Sequence, residues 1–342
     1  MLEIYKTRTD GHELVSLDFI EKGCWINLVA PTEEEIEFVV RNAEIEQNFI
    51  RDALDEEEKP RIDVDGDQTL IIVDIPYVFE DDKSIKFETM PLGLLLVRDD
   101  YIITISGKPS SVLERFRNGQ IRDFYTYKKT RFILQILYYV STDYLKYLKH
   151  IDKKSELLEN SLHKSMRNKE LYKLMDLSKS LVYFNTSLKS NETVLERLLK
   201  GKYIKMYEED ADILEDTIIE NKQAIEMATI YSSILSGMMD AFASVISNNQ
   251  NEVMKFLAAI TIVMAIPNMV YSFFGQNFPL PNEGHPFMWL FVFIGSVVLS
   301  LVVAFILYKR DMFCAYSGLF GQYFREYPDN KTGYIRTPCH VL

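Results

Sequence analysis

FLAAITIVMAIPNMVYSFFGQNFPLPNEGHPFMWLFVFIGSVVLSLVVAFILY, residues Phe256 to Tyr308, is the stretch that decides what this chain can be. Its 53 positions hold one carboxylate, Glu283, and no lysine or arginine. The other 289 residues carry 38 basic and 49 acidic side chains. A polar body is therefore joined to an apolar C-terminal segment. The averages, 47% hydrophobic and 26% charged over 342 residues, conceal this division.

Two apolar runs lie within the segment, Phe256–Phe274 and Phe287–Tyr308. As helices they reach roughly 29 and 33 Å, close to the ~30 Å hydrocarbon thickness of a bilayer. The competing reading, a helical hairpin buried in a soluble domain, would leave Phe287–Tyr308 with no polar face to turn toward water. Lys255 precedes the first run and Lys309-Arg310 follow the second, while the connecting loop Gly275–Pro286 has no positive charge. The positive-inside rule then places both ends in the cytoplasm and the short loop outside. Thr261, Asn268, Tyr271 and Ser272 interrupt the first run and Pro267 lies within it, whereas the second has only Gly295, Ser296 and Ser300. Polar groups at membrane depth usually face a bundle interior or a water-filled path, so the second run suits lipid and the first does not. Two helices cannot enclose a pore; a channel would need several copies of the chain.

Upstream, Trp25–Ala30, Thr69–Val78, Leu92–Arg98 and Tyr101–Ser106 are apolar or β-branched and bounded by Gly, Pro or Asp, which predicts strands. Thr32–Leu54 predicts helices, with acidic Glu33-Glu34-Glu35 in the first turn. From Lys128 to Lys255 there is no proline and only two glycines, Gly201 and Gly237, which predicts long helices with breaks near Met166–Lys169 and at Gly201. The last of them, about Met206 to Gly275, would run unbroken toward the membrane as a stalk of roughly 105 Å packed against copies of itself. The expected organisation is a cytoplasmic α/β domain (1–127), a long-helix region and stalk (128–255), a pore-lining helix (256–274), an outer loop (275–286), a lipid-facing helix (287–308) and a cytoplasmic tail (309–342).

Asp240, Ser247, Asn251, Met254, Ala258, Thr261 and Asn268 recur at steps of three, four or seven residues and so hold one side of a helix. A coiled-coil seam has the same period, but a seam built for stability would not place a carboxylate, amides and hydroxyls at its core positions.

Several motifs on this framework resemble the CorA family of magnesium channels. They are Ser236-Gly237-Met238-Met239-Asp240, Ser247-Asn248, Asn251-Glu252-Val253-Met254-Lys255-Phe256-Leu257, and Gly275-Gln276-Asn277-Phe278 with Pro281. Upstream, Cys24-Trp25-Ile26-Asn27-Leu28, Arg51-Asp52-Ala53-Leu54 and Lys59-Pro60-Arg61-Ile62-Asp63 are similar to further family stretches, so the likeness covers about residues 24–310. The resemblance implies a funnel-shaped homopentamer in the cell (inner) membrane and passive, potential-driven entry of Mg²⁺, often with Co²⁺ or Ni²⁺ tolerated. It implies a selectivity filter at Gly275, Gln276 and Asn277. It places Asp240, Ser247, Asn251, Met254 and Leu257 along the pore and its apolar constriction, a path that the polar residues Thr261 and Asn268 continue. Asp52 and Asp216 would be carboxylates that bridge neighbouring subunits through a regulatory Mg²⁺.

The chemistry agrees with those roles. Mg²⁺ surrenders its waters reluctantly, so a ring of Asn277 carbonyls can hold the hydrated ion where carboxylates would bind too tightly to release it. Glu283 would draw cations to the mouth, although a solvated loop acid is an equal reading, and Met254 with Leu257 would gate by dewetting, with stalk packing as the competing explanation.

The chain departs from the family pattern at Gln276, where a thioether is usual, and at Arg51, a position usually acidic. Pro267 is displaced by about one position, which leaves Met264 or Ala265 as the residue before it at the constriction. The tail 311–342 has no counterpart in the pattern.

Other function classes find no support. A net charge of −12 lacks the basic stripe that nucleic acid needs, and no Gly-rich phosphate cradle implies nucleotide. The histidines His12, His150, His163, His285 and His340 are dispersed, as are Cys24, Cys314 and Cys339, and no catalytic motif joins them. The polar stretch Met1–Asp10 predicts no cleaved signal. No organic cofactor and no enzyme activity are expected; self-association and membrane lipids are the expected partners. A Zn²⁺ pathway like that of the ZntB relatives and a non-conducting scaffold or sensor are the alternatives.

Overall fold

Leu92–Val97 is apolar at every position, a pattern proper to a strand covered on both faces. It lies inside a seven-stranded sheet. The computed structural model describes residues 1–8, 13–81, 84–98, 100–164, 168–201, 203–275, 287–310 and 312–313. The chain divides into two units, Met1–Met239 and Asp240–Leu342.

In the first unit the strands are β1 (Leu2–Thr7), β2 (Leu14–Leu17), β3 (Trp25–Val29), β4 (Arg61–Asp65), β5 (Gln68–Asp81), β6 (Ser84–Val97) and β7 (Tyr101–Ser106). Their spatial order is β2-β1-β3-β7-β6-β5-β4. The β3–β7 pair is parallel and the other pairs are antiparallel. The helices are α1 (Glu33–Ala43), α2 (Gln47–Leu54), α3 (Ser111–Arg117), α4 (Lys129–Lys164), α5 (Asn168–Lys200) and α6 (Glu208–Phe274), the last of which continues into the second unit before α7 (Met288–Lys309).

Period-two alternation sorts the strand side chains into two cores. Trp25, Val73, Leu92, Leu94 and Ile102 pack with Phe116, Phe132, Leu137 and Phe184 of the later helices. Ile26, Ile72, Leu95, Ile103 and Ile105 pack with Ile36, Val39 and Ile50 of α1 and α2. The sheet is thus sandwiched between helical layers. Trp25, wholly buried, donates from its indole to Thr104 Oγ1 at 2.9 Å, and Thr104 donates to Asn27 Oδ1 at 2.9 Å, so the polar tip of the largest core residue has a partner.

The start of α1 follows its capping chemistry. Thr32 accepts from the Glu35 backbone N–H while the Glu35 carboxylate accepts from the Thr32 N–H, a reciprocal box that opens α1. Gly93 on β6 faces α2 so closely that a Cβ there would overlap Ala53. Glycine at this position therefore sets the depth at which α2, and with it Asp52, sits on the sheet. α4 ends at Lys164 and α5 at Lys200, beside the two breaks predicted above.

Three strands and one helix were not foreseen. β1, β2 and β4 are edge or near-edge strands; charged residues interrupt β1 (Glu3, Lys6) and β4 (Arg61, Asp63, Asp65), and β2 has only four residues, too few for an alternation to register. α3 is seven residues, too short for a helical period to register.

β4 stops pairing at the Arg61–Ile72 pair, which leaves the next outward-facing backbone groups of β5, at Asp74, without a strand partner. Asn191 of α5 supplies one: its Oδ1 accepts from the Asp74 N–H at 2.9 Å and its Nδ2 donates to the Asp74 carbonyl at 2.7 Å. Tyr144, fully buried, donates to the same carbonyl at 3.1 Å. Replacing Asn191 by Ala orphans the N–H but not the carbonyl, and is expected to destabilise the protein by about 1–3 kcal/mol. Thermal unfolding of the full-length protein checks this, and an unchanged midpoint would show that the amide does not complete the ladder.

Candidate functional site

Asp240, Ser247, Asn251, Met254, Leu257, Thr261 and Asn268 all lie on α6, one uninterrupted helix from Glu208 to Phe274. All seven side chains are exposed within a single chain. On the other side of the same helix Ala259 is wholly buried, and Phe256, Val263, Ile266 and Val270 are half-buried, at the i, i+3, i+4 spacing of one face. Helical geometry thus separates a shielded apolar side from an uncovered side that carries the polar series. The Thr261 hydroxyl donates to the Leu257 carbonyl at 2.7 Å, which satisfies its proton inside the helix and leaves the oxygen lone pairs outward. Pro267 sits within the helix without ending it. In membrane helices neighbouring groups and local adjustment absorb such a break.

Both α6 and α7 are long and apolar enough to cross a membrane. Most side chains of α7 are exposed in the chain, and Ser296 is its one buried residue. The Tyr271 hydroxyl and Ser296 Oγ are 3.0 Å apart and joined by a hydrogen bond, and Phe256 meets Phe313 edge to face at 6.2 Å. The Gly275 N–H donates to the Tyr271 carbonyl at 2.9 Å, so the residue that closes α6 toward the predicted filter is the one held to α7. The polar character of Tyr271 and Ser296 was legible in the sequence; their pairing was not, because nothing in either helix fixes how the two rotate against each other. Gln276 and Asn277, and Glu283 and His285 of the loop, lie outside the described residues.

Asp52 is on α2 and Asp216 on the exposed side of α6. Among the described residues no group of three or more His, Cys, Asp or Glu could hold a metal ion, so a cation at either carboxylate would need ligands from another copy or from water. Sequence reasoning drew attention to Arg51 as the basic neighbour of Asp52. The structure turns Arg51 to Glu33, at 3.8 Å, and brings Arg61 of β4 to Asp52 instead. Arg61 Nη2 donates to Asp52 Oδ2 at 2.8 Å, Nε donates to Asp63 Oδ2 at 2.9 Å, and Nη1 donates to Glu58 Oε1. Burial acts against its charge, but the hydrogen bonds and negative field of Glu58 and Asp63 outweigh that and hold the guanidinium above its ordinary pKa. The Arg61–Asp63 half of this cluster is an i, i+2 pair on one strand face; the link to Asp52 depends on the packing of α2. Asp52 thus retains the half-exposed carboxylate that a divalent ion requires, but with one oxygen already engaged by a cation.

Removing the Tyr271 hydroxyl (Tyr271→Phe) or the Ser296 hydroxyl (Ser296→Ala) is expected to destabilise the helix pair by about 0.6–2 kcal/mol. The double variant should be little worse than either single one. Thermal unfolding in detergent reads this, and fully additive losses would show that the two hydroxyls do not act on each other.

Residues 21–310 match the family model described as CorA-like Mg²⁺ transporter protein. The cobalt/magnesium transport protein CorA of Methanocaldococcus jannaschii is 30% identical over 292 residues, 82% of this chain and 88% of that one. The complete structure of the CorA magnesium transporter from the same organism superposes with a TM-score of 0.77 at 25% identity, covering 90% of this chain and 96% of that one. The cytoplasmic domain of ZntB from Vibrio parahaemolyticus shares the fold at 13% identity, with a TM-score of 0.53 over 73% of this chain and 98% of that one. This chain and the complete CorA structure thus share their fold over nearly the whole length of each. This chain belongs to the CorA family of membrane ion transporters.

Proposed function

We propose that the chain is a homopentameric channel for Mg²⁺, seated in the cell (inner) membrane with both termini cytoplasmic, through which the ion enters passively down the membrane potential. The observation that carries this is the uncovered side of α6, where Asp240, Ser247, Asn251, Thr261 and Asn268 have no covering element among the described residues. Five copies turned inward would give those groups a shared wet axis and leave α7 to lipid. The proposed path runs from Asp240 outward to Gly275, Gln276 and Asn277, with Met254 and Leu257 as a dewetting constriction. The body up to residue 255 then stands in the cytoplasm, 256–274 and 287–308 cross the bilayer, 275–286 forms the outer mouth, and 309–342 returns to the cytoplasm.

Hydrated Mg²⁺ fits a ring of amide carbonyls, which accept hydrogen bonds from its water shell and let it leave. Gln276 favours keeping Zn²⁺ as a second reading, since a longer amide beside Asn277 changes the ligands that an ion meets.

Gating is assigned to the acidic body. Asp52 of one copy and Asp216 of the next are proposed to share a cytoplasmic divalent ion that favours the closed ring. The size of the shift is set by the ion's differential affinity for the two states.

In reconstituted vesicles, Asn277→Leu is expected to abolish Mg²⁺ influx while the protein still assembles; undiminished influx would exclude Asn277 from the filter. Replacing both Asp52 and Asp216 by Asn should remove inhibition of influx by internal Mg²⁺, and unchanged inhibition would exclude this pair as the sensor. Competition of Mg²⁺ influx by Co²⁺, Ni²⁺ and Zn²⁺ separates the two ion assignments.

A further inference from the structure

Building on the assignment of Asp52 as a ligand of the regulatory ion, we infer that Arg61 is a resident competitor at that carboxylate and sets how much cytoplasmic Mg²⁺ is needed to close the channel. Each of its three guanidinium nitrogens donates to a different carboxylate: Nη2 to Asp52 at 2.8 Å, Nε to Asp63 at 2.9 Å, and Nη1 to Glu58. Four charges in this cluster sum to −2, which still attracts a divalent cation, whereas the three carboxylates alone would sum to −3. The cation is fixed, because an arginine does not lose its proton at physiological pH. A metal ion therefore gains Asp52 Oδ2 only by displacing Nη2.

The arrangement allows that displacement. The side chains of Arg61 and Asp52 are 30% and 37% exposed, so water can replace either partner, and ion pairs of such exposure are weak. Arg61 also keeps Glu58 and Asp63 when Asp52 leaves, so its charge is not stranded. Divalent binding at Asp52 is then an exchange of one cation for another, and its midpoint rises with the strength of the arginine contact. The sequence would place the competing charge on Arg51, but Arg51 reaches Glu33.

The test compares full-length wild type, Arg61→Gln, Asp52→Asn and the double variant. Two readouts are taken: the Mg²⁺ concentration that half-protects the protein from limited proteolysis, and the internal Mg²⁺ that half-inhibits influx. Arg61→Gln is expected to lower both midpoints about three- to fivefold, the scale of a partly exposed ion pair. Asp52→Asn is expected to raise them, and the double variant to match Asp52→Asn. Arg61→Lys, which keeps a cation but not the three-way fork, should fall between wild type and Arg61→Gln and controls for folding.

If Asp52→Asn moves the midpoints and Arg61→Gln does not, Arg61 is no competitor while Asp52 remains the sensor. If Asp52→Asn moves nothing, the sensor assignment itself falls and the inference with it. An Arg61→Gln shift that persists undiminished in the Asp52→Asn background also overturns it, because the arginine would then act elsewhere.

Discussion

Amides and hydroxyls carried into hydrocarbon must meet either water or a partner, and α6 meets that demand on one side only. Backbone groups are satisfied by the helix itself, and the Tyr271 hydroxyl is satisfied by Ser296. Thr261 and Asn268 are exposed and have no covering element among the described residues. Everything proposed about assembly and conduction follows from how that side is covered. Copies of the chain around a wet axis cover all of it at once, and they do so without asking the apolar surface of α7 to face water.

The fold was largely legible because its strongest signals are local. The apolar runs, the proline-free and glycine-poor stretch from Lys128 to Lys255 and the acidic first turn of α1 each follow from side-chain chemistry at short range. The central strands were visible because burial on both faces leaves them apolar throughout, as in Leu92–Val97. The edge strands were not, because β4 alternates charged residues and β2 is only four residues long, so the strand character of each comes from hairpin pairing with its neighbour, as in Arg61 with Ile72. Within the candidate site the α6 series could be placed on one helical side from spacing alone. Two contacts could not: Tyr271 with Ser296, and Arg61 with Asp52, each of which depends on how two elements pack rather than on either one.

The acidic body and the apolar helices solve separate electrostatic problems. In the body, carboxylates outnumber cations, and arginines are spent holding particular acids: Arg61 on Asp52, Glu58 and Asp63, Arg98 on Glu44, and Arg115 on the buried Asp143. What remains is an excess of negative charge, which attracts cations in general. In the apolar helices no fixed charge intervenes between Lys255 and the end of α6, so an ion there would interact with dipoles alone, strong enough to admit it and weak enough to release it.

Water accessibility along α6 tests the central claim most directly. Single cysteines at Asn251, Met254, Thr261 and Asn268, in full-length protein whose native cysteines are replaced, would be challenged in vesicles with a membrane-impermeant thiol reagent, with Ala259 and Val263 as controls. The account predicts modification at the four positions, protection by a slowly exchanging hexa-coordinate trivalent cation complex that blocks the path, and no reaction at the two controls. Reaction of the four only with a lipid-soluble reagent would mean that this side of the helix faces the bilayer, and no conduction path would run along it.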